Sequence, residues 1–248
     1  MADPVAELTV ASFNVQWGRG SKREGWPAFD LVEACRSFDA DVIALQEAWA
    51  PDGGVAQHDE VAAALGFTVV TVPMGRAVME PQPRLVGRAD PTRRNGDGDW
   101  CLALLSRPPI RTTRVTEVRP QLPLDPWSRV LLQAELDIGG TNLTVVATHF
   151  SHLEHGSPLQ APSLRRGLPP TDRAGAFLGD MNMWGWTISA LTPAGWRRAV
   201  RGKTWPAHRP DHQIDHLLVT PSVEVIRSDV LPNLGSDHRP IRARLRVT

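Results

Sequence analysis

The chain has 248 residues, enough to bury a sizeable core, and its Lys+Arg and Asp+Glu totals are both 27. The formal net charge of zero excludes the global basic signal of many nucleic-acid binders, although a local basic groove stays open. Two cysteines, Cys35 and Cys101, sit in apolar segments with no C-x-x-C pattern, so zinc and dithiol redox chemistry have no motif to rest on. No apolar run approaches the roughly 18 residues of a membrane span, and "MADPVAELTV" lacks the pattern of a signal peptide. The expectation is a soluble, cytoplasmic monomer.

In chain order, "ELTVASFNV" reads as a buried strand by its apolar and β-branched content. "GWPAFDLVEACRSF" reads as a helix with Pro27 near its first turn. "DVIALQEA" is a second buried strand, "HDEVAAALG" a short helix that Gly66 can stop, and "FTVVTV" a third strand. Residues 73 to 99, rich in Pro, Arg, Gly and Asp, read as a long irregular loop. "WCLALLS" and "RTTRVTEV" follow as strands, and "GGT" between "RVLLQAELDI" and "NLTVVATHF" marks a hairpin. Residues 151 to 173 carry too much Pro and Ser for regular structure. Next come the strand "AGAFLGD", a short helix near Thr187 to Leu191, and the strands "QIDHLLVT", "VEVIRSDVL" and "RPIRARLRV". With no repeat and no linker, residues 1–248 are expected to form one domain of packed sheets with helices outside.

Polar residues recur at the tips of these apolar strands: Asn14, Glu47, His149, Asp180 with Asn182, Asp215, and the pair Asp237–His238. Singly, each has a plain structural reading. Asn14 or Asp180 can shape a turn, Glu47 can face a helix N-terminus, His149 can be a hydrogen-bonded core histidine, and Asp237 can cap a turn. As a set they point elsewhere, because carboxylates, amides and imidazoles are costly to bury unless they are paired or bind a metal.

The ordered motifs "FNVQWG", "LQEA", "THF", "GDMN", "QIDHLLV" and "GSDHRP" resemble those of the endonuclease/exonuclease/phosphatase superfamily, from Asn14 to Pro240. The resemblance implies a four-layer α/β/β/α sandwich of two mainly antiparallel sheets. It also implies a Mg²⁺-dependent hydrolase of phosphate esters, with Mn²⁺ as a substitute. It implies Glu47, with Asn14 and Asp237, as the metal site, and Asp180 and Asn182 as the residues that activate and hold the attacking water. His238 would contact the phosphate with Asp215 as its carboxylate partner, and His149 would assist the leaving oxygen. Hard oxygen donors of this kind suit Mg²⁺.

The chain has no tyrosine, and "LQEA" lacks the Lys that AP endonucleases place two residues after the Glu. Both departures weigh against abasic-site repair. The expected activity is a phosphodiesterase or nuclease; the alternatives are a phosphomonoesterase, a lipid-headgroup phosphodiesterase, or the same metal site turned to small-molecule chemistry. Trp17, Trp184 and Trp186 can stack on bases or simply pack, and Arg19, Lys22 and Arg23 can contact phosphates or form a solvated loop.

Overall fold

The computed structural model describes residues 6–20, 28–80, 82–88, 96–125, 127–152 and 156–247. Strand β1 (Ala6–Asn14) runs parallel to β2 (Val42–Pro51), and α1 (Leu31–Ser37) lies between them in sequence. The helix starts later than Pro27, which lies outside the described residues. The Asp30 side chain accepts the Glu33 backbone N–H at 3.0 Å and so sets the first turn. Helix α2 (Gln57–Leu65) ends as expected at Gly66, whose φ of +71° returns its N–H to the Ala62 carbonyl.

Strand β3 (Thr68–Val78) runs past its apolar stretch and pairs with both β4 (Arg84–Arg88) and β5 (Gly98–Ser106). Much of the expected 73–99 loop is therefore sheet. One charge that disguised it is satisfied locally: buried Arg76 lies 2.5 Å from Asp52 and 3.1 Å from Asp99.

The second half supplies β6 (Ile110–Glu117), β7 (Val130–Ile138) and β8 (Thr141–His149). Gly139 and Gly140, with φ of +60° and +96°, form the two-residue turn of the β7–β8 hairpin. Residues 151–173 are more regular than their composition indicates, holding a 3₁₀ segment (Ser157–Ser163) and α3 (Leu164–Gly167). Side-chain bonds fix this segment: Gln160 accepts the Ser151 N–H at 3.0 Å, and Ser163 donates to the Arg119 carbonyl at 2.8 Å. Then come β9 (Gly175–Asp180), α4 (Gly185–Leu191), the two-residue β10 (Arg197–Arg198), β11 (Asp215–Val219), β12 (Val223–Val230) and β13 (Ile241–Val247).

One sheet has the order β12-β13-β1-β2-β5-β3-β4 and the other β10-β11-β9-β8-β7-β6. Central strands are apolar on both faces, as strands covered on both sides must be. Leu8, Val10, Val42 and Ala44 meet Ala147, Leu178 and Leu217 between the sheets. Phe13, Ile43 and Leu45 turn outward onto Cys35 and Phe38 of the α1 region, and Phe177 and Leu218 turn outward onto Leu164 and Ile188. The layers therefore run helix, sheet, sheet, helix. Both cysteines are buried and free. Among the described residues no helix is long and apolar enough to cross a membrane.

Candidate active site

Among the described residues each sheet contains one parallel pair, β1–β2 and β8–β9, and the other strand pairings are antiparallel. Parallel pairing sets strand ends side by side: His149 is in register with Asp180, and Asn14 with Gln46, one residue before Glu47. β11 runs against β9, so its first residue, Asp215, lies opposite Asp180. β13 runs against β1, so the segment ahead of it reaches the same edge, where the Ser236 hydroxyl donates to the Asn14 carbonyl at 2.7 Å. The eight residues singled out in the sequence thus gather at one end of the sandwich.

Glu47 needs an extra device to face the others. Strand alternation would point it outward with Ile43 and Leu45, toward the helices. A bulge between Leu45 and Ala48, with Glu47 at φ +62°, turns it back to the side of Asn14. A left-handed glutamate is strained by about 1–2 kcal/mol, a cost that marks positions where a side chain must be re-aimed.

Asn14 ties the sheets together through its amide nitrogen, which donates to Glu47 Oε1 at 3.1 Å and to Asp180 Oδ2 at 3.0 Å. Its oxygen accepts the Gln16 N–H at 3.1 Å. Asp180 Oδ1 accepts the Asn182 N–H at 2.9 Å. Asn182, at φ +49°, holds its amide 3.1 Å from the Phe150 carbonyl and 3.4 Å from His149 Nε2. His149 Nε2 is 3.4 Å from Asp180 Oδ2 and 4.0 Å from Glu47 Oε1. On the other side, His238 turns Nδ1 onto Asp215 at 2.9 Å and Nε2 toward Asp180 Oδ2 at 3.7 Å.

Protonation follows from this packing. Burial pushes Glu47 up to about 7, helped by the nearby charge of Asp237. Burial likewise pushes Asp180 up to about 7, although the charge of His238 opposes it. Burial pulls His238 down, but Asp215, Asp180 and Asp237 together outweigh it and hold this histidine well above its ordinary range. Burial and the Arg129 charge push His149 well below that range, so it is the neutral one. The two imidazoles are therefore set apart in charge, a pattern typical of acid–base sites.

A cleft of about 560 Å³ opens over these groups, lined by Glu47, His149, Asp180, Asn182, Asp237 and His238. Asn14 and Asp215 are buried at 1% exposure and support it from below. The same cleft exposes residues that the sequence reading passed over. Arg129 immediately precedes the apolar strand β7 and is buried against Asp125 at 2.8 Å, with its guanidinium 4.5 Å from the Trp127 ring centre. A charge opening an apolar strand at the same end as the other polar tips was a usable signal. Trp205 and His212 carried no such signal. Trp17 packs against Trp100 and Trp127, whereas Trp184 lines the cleft and Trp186 is exposed beside it. Arg19 is tied to Glu80 and the Met79 carbonyl; Lys22 and Arg23 lie outside the described residues.

The donor set fits a hard dication. Glu47, Asp180 and Asp237 bring carboxylate oxygens to one cleft, and the Glu47 pKa is raised first by burial and then by the Asp237 charge, both of which a cation would offset. Among the described residues, Asp180, Asp215 and His238 also place ligand atoms within 4.8 Å of one another. There, however, His238 Nδ1 and Asp215 already satisfy each other, an arrangement suited to proton handling.

Solved structures with the same fold include an endonuclease/exonuclease/phosphatase from Beutenbergia cavernae, 18% identical, with a TM-score of 0.75 over 98% of this chain and 72% of that one. D. rerio TDP2 complexed with a single-strand DNA product is 17% identical, with a TM-score of 0.65 over 96% and 98% of the two chains. A Bacteroides thetaiotaomicron mannosyl-6-phosphatase is 18% identical, with a TM-score of 0.65 over 96% and 99%. No curated protein matches the sequence. The sequence model of the Endonuclease/Exonuclease/phosphatase family matches residues 11–238, a span that contains every strand-end residue described above. A match across that much of the chain shows that this protein belongs to the endonuclease/exonuclease/phosphatase family.

Proposed function

We propose that the protein is a divalent-metal-dependent phosphoesterase, most concretely a phosphodiesterase, in which water attacks phosphorus directly. The observation that carries this reading is the charged His238–Asp215 pair facing Asp180 across a cleft also lined by Glu47 and Asp237. Glu47 and Asp237, with Asn14 beside them, would hold Mg²⁺ or Mn²⁺. That ion supplies charge neutralisation at the phosphoryl oxygens and lowers the pKa of bound water.

The protein's own groups do the rest. Asp180 is fixed through both oxygens, Oδ2 by the Asn14 amide and Oδ1 by the Asn182 N–H, and its carboxylate, so oriented, accepts the proton of the attacking water. Asn182 presents its amide to the same water or to a phosphoryl oxygen. His238, kept cationic by Asp215, offsets charge on the phosphoryl group as the P–O bond to the leaving oxygen breaks. His149, kept neutral, offers the leaving oxygen a hydrogen bond from Nε2.

Both mono- and diester chemistry occur on this fold, since one relative is a mannosyl-6-phosphatase and another was solved with a single-strand DNA product. The deciding experiment is a metal-dependent screen over bis-p-nitrophenyl phosphate, p-nitrophenyl phosphate, plasmid DNA, RNA, inositol phosphates and sphingomyelin. Turnover of a diester above its monoester supports the reading; monoester turnover alone replaces it with a phosphatase; no turnover with any metal removes it.

A further inference from the structure

One wall of the cleft is aromatic. Trp184 follows Asn182 by two positions and stands at the N-terminus of α4. Trp205 and His212 come from the loop ahead of Asp215, where an isolated bridge pairs them, each N–H meeting the other's carbonyl at 3.0 Å. The Trp184 and His212 rings lie 22° from parallel with centroids 5.7 Å apart, and Trp205 is 6.4 Å from His212. All three line the cleft that holds Asp180, Asn182 and His238. They are not core residues: Trp184 is 38% exposed and the His212 side chain 42%. Flat rings left partly open to a cleft present a face on which another ring can stack.

The charge of the cleft narrows the ligand further. Among the described residues that line it, Arg129 is the single Arg or Lys; it is 6% exposed and committed to Asp125. A nucleic-acid strand is held by a cationic track along successive phosphates. This cleft offers carboxylates at the reaction centre and rings beside it. Its volume of about 560 Å³ is that of a small-molecule site.

Building on the phosphoesterase reading above, we propose that Trp184, Trp205 and His212 form a stacking surface for a planar aromatic group carried by the phosphoester. The ligand is then a small aryl or nucleoside phosphoester and not a polynucleotide strand.

The test pairs ligands that differ by a ring: adenosine 5′-monophosphate against ribose 5-phosphate, and phenyl phosphate against methyl phosphate. Calorimetry is run with Mg²⁺ on the Asp180→Asn protein, so that binding is read without turnover. The ringed member should bind about 5- to 100-fold more tightly, the span of a base–aromatic contact. A preference in both pairs assigns the surface to aryl groups in general, and a preference in the nucleotide pair alone assigns it to nucleobases; either upholds the proposal. Adding Trp184→Ala, Trp184→Leu or His212→Ala should reduce the preference, with the Trp184 variants bringing it to within about twofold. Thermal melts confirm which variants are folded. Equal binding within both pairs overturns the proposal. So does a single-stranded oligothymidylate of about 15 nucleotides binding more than about tenfold tighter than the mononucleotide. Ring preference without turnover of any ester would remove the phosphoesterase reading and leave the stacking surface. Turnover without ring preference would do the reverse.

Discussion

Asp215 and His238 are 23 residues apart in the chain and 2.9 Å apart in space, both buried. A cationic imidazole at that depth is stable only beside a carboxylate. Asp215→Asn keeps an acceptor and removes the charge, so turnover should fall by about 10²–10⁴. His238→Ala should be similarly damaging, and the double variant little worse than the worse single one, because the pair acts as a unit. Rates and thermal midpoints on the four proteins check this; additive rate losses would dismiss the pair. Glu47 and Asp180 separate by role. Glu47→Gln should weaken Mg²⁺ binding by calorimetry, whereas Asp180→Asn should keep Mg²⁺ and lose turnover. Equal loss of metal in both would show that Asp180 is a ligand.

At the level of elements, the site depends on how closely β8 and β9 approach. Gly179 precedes Asp180 at φ +150°, and a Cβ there would lie 2.1 Å from the Thr148 carbonyl oxygen of β8. That contact is backbone against backbone, so no side-chain rotation relieves it. Gly179→Ala should force the strands apart and pull His149 away from Asp180. The expected result is a loss of about 2–4 kcal/mol in denaturant unfolding together with loss of turnover. Ser189→Ala, at an exposed position of α4, serves as a control. If Gly179→Ala keeps its stability and its rate, the close approach has no functional weight.

For the whole molecule, two levers act on stability. A gathered set of carboxylates is eased by a bound dication, so Mg²⁺ at about 100 times its Kd should stabilise the fold by about 2.7 kcal/mol, and EDTA should abolish both this gain and activity. A thermal midpoint indifferent to Mg²⁺ would deny a resident cation. Acid is the second lever. His216, buried on β11, is lowered to about 4 chiefly by burial, while its bond to the Met183 carbonyl opposes the shift. Its folded pKa lies below the unfolded value of about 6.5, so the unfolded chain takes up the proton first. The His216 contribution is therefore intact above about pH 6.5 and declines by roughly 3 kcal/mol as pH falls to about 4. Denaturant midpoints of wild type and His216→Gln across pH 4–7 should converge toward the acid end. A constant gap would exclude this histidine.

The strand-end cluster was legible in one dimension because a polar residue closing an apolar run stands out without knowledge of its partners. Asn14, Glu47, His149, Asp180, Asn182, Asp215, Asp237 and His238 all read that way, as did the Gly139–Gly140 turn and the Gly66 stop. The start of α1 and the sheet within residues 73–99 were not legible, because Asp30 and the partners of Arg76 reset the local propensities there. Only the tertiary structure decided which groups meet. Asn14 and Asp180 are 166 residues apart and bond across two sheets, and Glu47 faces them only through a left-handed bulge. Tertiary packing also laid Trp17, partly buried, against the core and left Trp184 on the cleft. Alternation is a property of one segment, whereas burial, charge and stacking are sums over every element that packs against it.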